Sequence, residues 1–349
     1  MSGGVDSSMA AALLLEQGHD VVGATMRLWD GGPDAPGCCS VAEVDDARRV
    51  AQQLGIDHWV FNFMDDFEER VVAPYVAGHA AGETPNPCIE CNRHVKFARF
   101  LRRAIQLGFD GIATGHHARV DADGTGRHRL RRGTDAAKDQ SYVLHVLGQT
   151  ELTRCRFPVG ALTKAEVRRQ AAALELRTAA KPDSQEVCFV TAAGGRDVLL
   201  RERIPLRAGQ VVDTAGSVVG GVDAVELVTV GQRRGLGVAS GRRRYALAVD
   251  VATATVTIGG EDELLVDEVV LRDMTWVDAP VAGPVLAQCS AHAPAERATF
   301  DGAVVRFAAP RRRVAPGQSV VLYDETDDYV LGGGVALSPS LASLRSGEL

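Results

Sequence analysis

An α/β domain built on a parallel sheet, followed by two smaller β-rich units, is the fold class this sequence predicts, and three observations predict it. From Met9 to Arg119, apolar runs of helical spacing alternate with short β-branched or aromatic runs, and glycines punctuate them. The chain opens on Ser2-Gly3-Gly4-Val5-Asp6-Ser7-Ser8, a glycine-rich loop that runs straight into the first helical stretch. From about Arg203 onward the texture changes to short β-branched runs separated by Gly, Asp and Pro, with few helical periods.

Taken in order, Met9 to Leu15 reads as a helix stopped at Gly18, and Val21 to Met26 as a buried strand. A Gly/Pro-rich loop carries Gly37-Cys38-Cys39-Ser40, and Ser40 with Glu43 makes a capping box for a helix that Gly55 stops after Leu54. His58 to Asn62 follows as a strand, Phe67 to Ala80 as a helix, and Gly82 to Pro87 as a turn-rich loop. A helix over about Arg93 to Leu107 ends at Gly108, and a short strand, Gly111 to Thr114, leads into Gly115-His116-His117. Residues just past strand ends line the ligand crevice of a parallel sheet. Val211 to Val230 and Tyr245 to Ile258 read as hairpin-forming strands of a middle unit, and Leu265 to Val335 as a barrel or sandwich. The expected division is 1–200, 201–262 and 263–349. Only Met1 precedes the loop, so the strand that ordinarily feeds such a loop is expected to be missing from the sheet.

At 349 residues the chain can bury more than one core. No apolar stretch approaches the roughly 20 residues that span a bilayer, and no basic-then-apolar leader opens it, so the expectation is a cytoplasmic protein without membrane contact. The net charge of −7 is local: residues 1–100 carry 7 Lys/Arg against 15 Asp/Glu. Later basic clusters, Arg201 to Arg207, Arg233-Arg234, Arg242 to Arg244 and Arg311 to Arg313, leave room for an RNA backbone, although such runs are usually solvated faces. Seven cysteines in a long chain with no secretory signal point to chemistry or metal rather than a disulfide scaffold.

The opening loop is suited to phosphate. Two glycines let the backbone approach an anion, while loop N–H groups and a helix N-terminus supply positive potential. It has no Gly-Lys-Ser/Thr at the helix entry, so it is not a Walker loop, in which that lysine reaches the β and γ phosphates. The second constellation is Asn86-Pro87-Cys88-Ile89-Glu90-Cys91-Asn92, with Cys188 in Lys181-Pro182-Asp183-Ser184-Gln185-Glu186-Val187-Cys188. Cys91 stands just before the helix expected near Arg93, and a helix N-terminus lowers a thiol's pKa. Cys155 and Cys289 read as structural.

The Ser2–Ser8 string resembles the PP-loop of the ATP pyrophosphatases, which split ATP between the α and β phosphates. With the Asn-Pro-Cys-x-x-Cys-Asn segment, Lys138-Asp139-Gln140, the Cys188 segment, Gly231-Gln232-Arg233-Arg234-Gly235 and Pro316-Gly317-Gln318, nearly the whole chain resembles the tRNA-specific 2-thiouridylase family. The resemblance implies an adenine-nucleotide α-hydrolase-like first domain, a small β-rich central domain and a C-terminal β-barrel. It implies ATP with Mg2+, a tRNA substrate and a sulfur-relay donor protein, Cys188 as persulfide carrier, and Cys91 as the second catalytic thiol, the pair closing into a transient disulfide. Ser2, Gly3, Gly4, Val5, Asp6, Ser7, Ser8, Met26 and Gly115 would bind ATP, with Asp6 the polar partner of ATP or its magnesium. Asn86, Pro87 and Cys88 would lie by the target base, and His116, Lys138, Asp139, Gln140 and Gln318 would contact tRNA. Some relatives carry aspartate in place of Cys88. The three thiols Cys88, Cys91 and Cys188 are also compatible with an iron–sulfur cluster or zinc, a less favoured reading; the set lacks the usual fourth protein ligand, which a cluster carrying an exchangeable sulfide tolerates and structural zinc does not. Cys38 and Cys39 recur in the resemblance without a role. Two other readings compete: an ammonia-using enzyme of the same superfamily, which would need no thiol pair, and a noncatalytic tRNA-binding protein, which the missing strand would allow.

Overall fold

The computed structural model describes residues 1–29, 41–183, 187–239 and 241–337. Cys38, Cys39 and the capping Ser40 lie outside the described residues, as do Ser184, Gln185 and Glu186 of the Cys188 segment.

Helix α1 (Val5–Glu16) leaves the loop directly. Gly18 ends it at φ +81°, where the His19 N–H reaches back to the Leu14 carbonyl at 3.0 Å. Its apolar residues Val5, Met9, Ala10 and Ala12 share a core with Val159, Val167, Ala171 and Leu176. Strand β1 (Gly23–Arg27) pairs in parallel with β2 (His58–Asn62), and helix α2 (Val41–Leu54) connects them. Strand β3 (Ile112–Ala113) precedes a hairpin of β4 (Ala118–Ala122) and β5 (His128–Arg132) that sequence patterning did not reveal, and pairs in parallel with β6 (Cys155–Arg156). The parallel pairs β1–β2 and β3–β6 stay separate, with no strand joining them among the described residues. Met1 lies alongside β1: its amine donates to the Ala24 carbonyl, and its carbonyl accepts from Thr25 Oγ1 at 2.7 Å.

The middle unit is a four-stranded sheet of two antiparallel hairpins, β7 (Gly209–Val212) with β8 (Val218–Val222) and β9 (Tyr245–Asp250) with β10 (Thr255–Gly259). The hairpins join through a parallel β7–β10 pairing over Val211, Val225, Ala246, Val256 and Ile258. The last unit closes into a six-stranded antiparallel barrel of β11 (Leu265–Trp276), β12 (Gly283–Gln288), β13 (Glu296–Phe300), β14 (Val304–Arg312), β15 (Ser319–Tyr323) and β16 (Val330–Ala336), in the order β11-β14-β13-β12-β15-β16. Closure leaves no open sheet edge. No helix among the described residues is long and apolar enough to cross a membrane.

The barrel shares a core with the first domain. Phe97, Leu130, Tyr142 and Leu152 pack in one apolar cluster with Val277, Val321, Tyr323 and Val330 of the barrel. Tyr142 donates its hydroxyl to the Ser319 carbonyl at 2.8 Å, and the Tyr323 hydroxyl lies 3.0 Å from Ser141 Oγ. Arg132 lays its guanidinium 3.7 Å from the Tyr323 ring centre and donates to Asp139 and Gln288 at 2.8 and 3.0 Å. A second attachment reaches the Gly82–Asn86 loop. The Thr84 N–H donates to the Pro316 carbonyl at 2.7 Å, Gln318 Nε2 donates to the Thr84 carbonyl, and Arg272 pairs with Glu83 at 2.8 Å.

If the Tyr323 ring carries this seam, Tyr323→Ala is expected to lose about 3–5 kcal/mol of unfolding free energy and Tyr323→Phe only about 1 kcal/mol. Urea denaturation of both variants reads this. Equal losses would mean that the hydroxyl, not the ring, holds the two units together.

Candidate active site

The loop's shape follows from its glycines. Gly3 has φ +70°, and a Cβ there would lie 2.7 Å from the Glu43 carbonyl oxygen at the start of α2, so a side chain has no room. Gly4 is the N-cap and offers no side-chain cap. Ser8 Oγ donates to the Gly4 carbonyl at 2.9 Å, while Ser7 Oγ accepts from the Ser2 N–H at 3.1 Å and donates to Gly4 at 3.2 Å. The first turn of a twelve-residue helix thus opens on glycine and serine with no capping side chain, an arrangement that favours an anion. Gly115 backs it from behind: a Cβ there would lie 2.6 Å from the Asp6 carbonyl carbon and the Ser7 nitrogen. Its close approach is therefore to the loop itself.

Asp6 does not stand alone. Lys164 Nζ donates to both its carboxylate oxygens at 2.8 and 2.7 Å, and His117 Nε2 lies 3.2 Å from Oδ1. Burial alone would raise the Asp6 carboxyl, but the bonds from His117 and Lys164 and the charge of Lys164 hold it below the ordinary range. Lys164 also meets Asp183 Oδ1 at 2.8 Å, and Asp183 takes Lys138 and Arg168 at 2.8 Å each. Burial opposes ionisation of Asp183, yet Lys138 and Lys164 pull its carboxyl down to about 2.

The cysteine segment differs from expectation. Asn86 Oδ1 accepts from the Cys88 N–H at 3.1 Å, Pro87 takes the first helical position, and the helix runs from Pro87–Glu90 through wide π-type turns at Cys91–Phe100 into Leu101–Gln106. It begins six residues before the expected Arg93, because Asn at the N-cap and Pro at the first position start a helix rather than stiffen a loop. Cys88 is therefore the thiol in the first turn and is exposed, and Cys91 lies buried one turn further in. Cys91 packs with Phe67, Tyr75, Val95 and Phe189, and Met26, Val187 and the half-buried Cys188 lie against that same cluster. Among the described residues no three His, Cys, Asp or Glu side chains converge to hold a metal ion. Burial pushes the thiols of Cys155 and Cys289 up to about 12, which leaves them unreactive.

The remaining sequence candidates are occupied within the protein. Lys138 pairs with Asp183. Asp139 accepts from Arg132, Ser141 and the Gly133 N–H, and Gln140 Oε1 accepts from the His117 N–H at 2.9 Å. His116 is buried between Phe97 and Phe157, bonds Thr114 Oγ1 at 2.7 Å, and burial lowers its pKa well below the ordinary value, so its ring is neutral. Gln318 holds the Thr84 carbonyl beside the cysteine helix.

Comparison with known proteins decides the relationship. Residues 1–192 match the family described as tRNA methyl transferase HUP domain, 197–260 the tRNA methyl transferase PRC-barrel domain, and 285–336 the aminomethyltransferase beta-barrel domain. A protein of Heliobacterium modesticaldum named tRNA-specific 2-thiouridylase MnmA is 46% identical over 352 residues, covering 96% of this chain and 90% of that protein. Proteins of the same name from Roseiflexus sp. and Geobacter metallireducens are 46% and 44% identical, each over 96% of this chain and over 97% and 94% of their own length. The chain belongs to the tRNA-specific 2-thiouridylase family.

Within this family member, sequence reading missed Lys164, His117 and Arg168 as parts of the site. One local signal was available for Lys164. Thr163 and Glu166 form a reciprocal capping box, which puts a lysine at the first position of helix Lys164–Ala173, where the helix dipole disfavours a cation.

Gly115→Ala is expected to drive a methyl group into the Asp6–Ser7 backbone and to cost about 1–3 kcal/mol in urea denaturation. A variant as stable as the parent would show that the loop yields at no cost. A second expectation concerns acid. The depressed folded-state pKa of Asp183 contributes stability above its unfolded value of about 3.9, lost as pH falls toward 2. Unfolding measured from pH 5 to 2 should show Asp183→Asn with a shallower acid loss, by about 1 kcal/mol after screening.

Proposed function

We propose that this chain catalyses 2-thiolation of the wobble uridine of tRNA, as the printed name of its relatives describes for them. The observation that carries the reading is the packing of Cys91 and Cys188 against one apolar cluster, in a domain whose first helix opens on an uncapped glycine-serine loop. An enzyme that attacked an adenylate with ammonia would have no use for that pair.

The base's position-2 carbonyl oxygen attacks the α phosphorus of ATP, forming the O–P bond and expelling pyrophosphate, whose charge the Ser2–Ser8 loop receives. The outer sulfur of a Cys188 persulfide then adds to carbon 2, and AMP leaves with the oxygen. The Cys91 thiolate attacks the Cys188 sulfur; the sulfur–sulfur bond breaks, its electron pair passes to the outer sulfur, and a Cys91–Cys188 disulfide remains. A two-electron dithiol reductant restores the thiols. The persulfide sulfur comes from a sulfur-relay donor protein.

In this reading Ser2, Gly3, Gly4, Val5, Asp6, Ser7 and Ser8 bind ATP, with Met26 and Gly115 beside the nucleotide. Asn86, Pro87 and Cys88 take the flipped base, and Lys138, Gln140 and Gln318 form the surrounding tRNA-binding shell, with the buried His116 and Asp139 supporting it from behind. The exposed Arg233, Arg234, Arg242 and Arg243 of the middle unit suit phosphate contacts. Units 1–200, 201–262 and 263–349 divide these tasks, in the cytoplasm. Both Asp6 oxygens are engaged by Lys164, so Asp6 as it stands does not fit a magnesium ion, and no step runs through one. The same holds for a cluster on Cys88, Cys91 and Cys188, which do not converge on a metal site.

The test incubates the protein with ATP, unmodified tRNA and a cysteine desulfurase with cysteine, with and without anaerobic cluster reconstitution, and measures 2-thiouridine and AMP. Wild type is expected to form both without reconstitution, while Cys188→Ser loses 2-thiouridine. Unchanged turnover of Cys188→Ser would favour the ammonia class. Absence of AMP would leave only tRNA binding.

A further inference from the structure

The opening loop lacks a lysine of its own, yet a lysine from another part of the chain reaches it. We propose that Lys164 is the phosphate-binding lysine of the Ser2–Ser8 loop and that its ammonium engages the pyrophosphate portion of ATP; this rests on the nucleotide reading above.

Three observations carry the proposal. The first is position. Lys164 is the first residue of its helix, the end at which the dipole opposes a cation, and the Thr163–Glu166 capping box fixes it there with both reciprocal bonds made. A residue that breaks a local rule is expected at a site where something else rewards it. Its backbone N–H is held too, donating to Asp135 Oδ2 at 2.9 Å, so the stem of the side chain starts from a fixed point.

The second is aim. The Lys164 side chain is 11% exposed, and its ammonium ends on Asp6 and Asp183. Asp6 is the second residue of α1, so the ammonium lies one hydrogen bond from the uncapped helix turn that favours an anion. His117 closes the same side. It is 3% exposed, its Nε2 lies against Asp6, and its Nδ1 is buried with no hydrogen-bond partner.

The third is charge. Two carboxylates, Asp6 and Asp183, face three cations, Lys164, Lys138 and Arg168, before any helix dipole is counted. If Lys164 turns one N–H from Asp183 to a phosphate oxygen, Asp183 keeps Lys138 and Arg168, and no buried carboxylate is stranded. Asp6 keeps its own bonds and holds the ammonium toward the loop. The pairing that excludes a metal from Asp6 is thus the one that places a protein cation beside the phosphates.

The experiment uses full-length protein and titrates inorganic pyrophosphate, ATP and AMP by calorimetry. Lys164→Met, similar in length but uncharged, is expected to weaken pyrophosphate and ATP by about 10- to 100-fold, the worth of one charge-assisted hydrogen bond, and to leave AMP affinity unchanged. Lys164→Arg is expected to recover part of the loss. Should Lys164→Met fail to fold because Asp6 is left unpaired, the double variant Asp6→Asn/Lys164→Met removes both charges. Its loss of pyrophosphate affinity would still report the lysine, since a carboxylate itself repels the anion. Pyrophosphate affinity of Lys164→Met equal to wild type, or of the double variant equal to Asp6→Asn alone, overturns the assignment, as does a parallel loss of AMP and pyrophosphate, which would mark a purely structural role. Wild-type protein that binds pyrophosphate through Lys164 but forms no 2-thiouridine would sink the sulfur-transfer reading and leave this one standing. Normal 2-thiouridine formation with unchanged pyrophosphate affinity in Lys164→Met would do the reverse.

Discussion

Residues far apart in the chain, at positions 6, 138, 164, 168 and 183, meet around the Lys164 ammonium and its two carboxylates. Lys164 is buried while Asp6 and Asp183 are part-exposed, and desolvation offsets part of the Coulomb attraction between them. The use of this cluster is geometric: it fixes where segments stand relative to one another. Asp6 belongs to the glycine-serine loop and the first turn of α1, and Asp183 to the distant Lys181–Asp183 stretch, so the pair ties these two segments together. Gly115 presses on the other side of the loop at 2.6 Å, so the loop is held between a charge contact and a backbone contact.

The second constraint is the core shared by the first domain and the barrel. Two domains joined only by linkers would move independently, but Phe97, Tyr142 and Leu152 interdigitate with Val321, Tyr323 and Val330 in one cluster. The Thr84 N–H and carbonyl are both bonded by the barrel's Pro316–Gln318 turn. The loop before the cysteine helix is thereby positioned from outside its own domain. A barrel turn thus helps fix the loop that leads into the helix of Cys88 and Cys91.

Much of this was legible in the sequence where a local rule sufficed. Gly18, Gly55 and Gly108 all lie at positive φ at or just past helix ends, as their spacing predicts, and the two hairpins of the middle unit overlap their expected runs, the first starting two residues earlier at Gly209 and the second ending one residue later at Gly259. The cysteine helix shows two local rules in competition: Asn86-Pro87 closes a turn-rich loop by composition, yet the same dipeptide is a good helix start. The β4–β5 hairpin has no clear strand pattern because its strands, Ala-Arg-Val-Asp-Ala and His-Arg-Leu-Arg-Arg, offer few apolar positions; Leu130 is buried in a core that first domain and barrel build together. For Lys164 the local signal, a cation at the first position of a capped helix, marks the residue as unusual without saying what it faces. Its meaning comes from Asp6, 158 residues away.

Moving the helix start from Arg93 to Pro87 changes the chemistry assigned to the two thiols. A helix dipole acts mainly over its first turn, so of the pair it is Cys88 that receives the backbone N–H groups and the positive potential. Cys88 is also the exposed member, suited to lie beside a substrate rather than to be sealed from it. Cys91, buried among Phe67, Tyr75 and Phe189 with Cys188 against the same cluster, has the opposite setting. There, apolar packing excludes water from a bond between two sulfurs. The division follows: electrostatics acts at Cys88, where a charged base-adenylate would sit, and exclusion of water acts between Cys91 and Cys188, where a sulfur–sulfur bond would form and break.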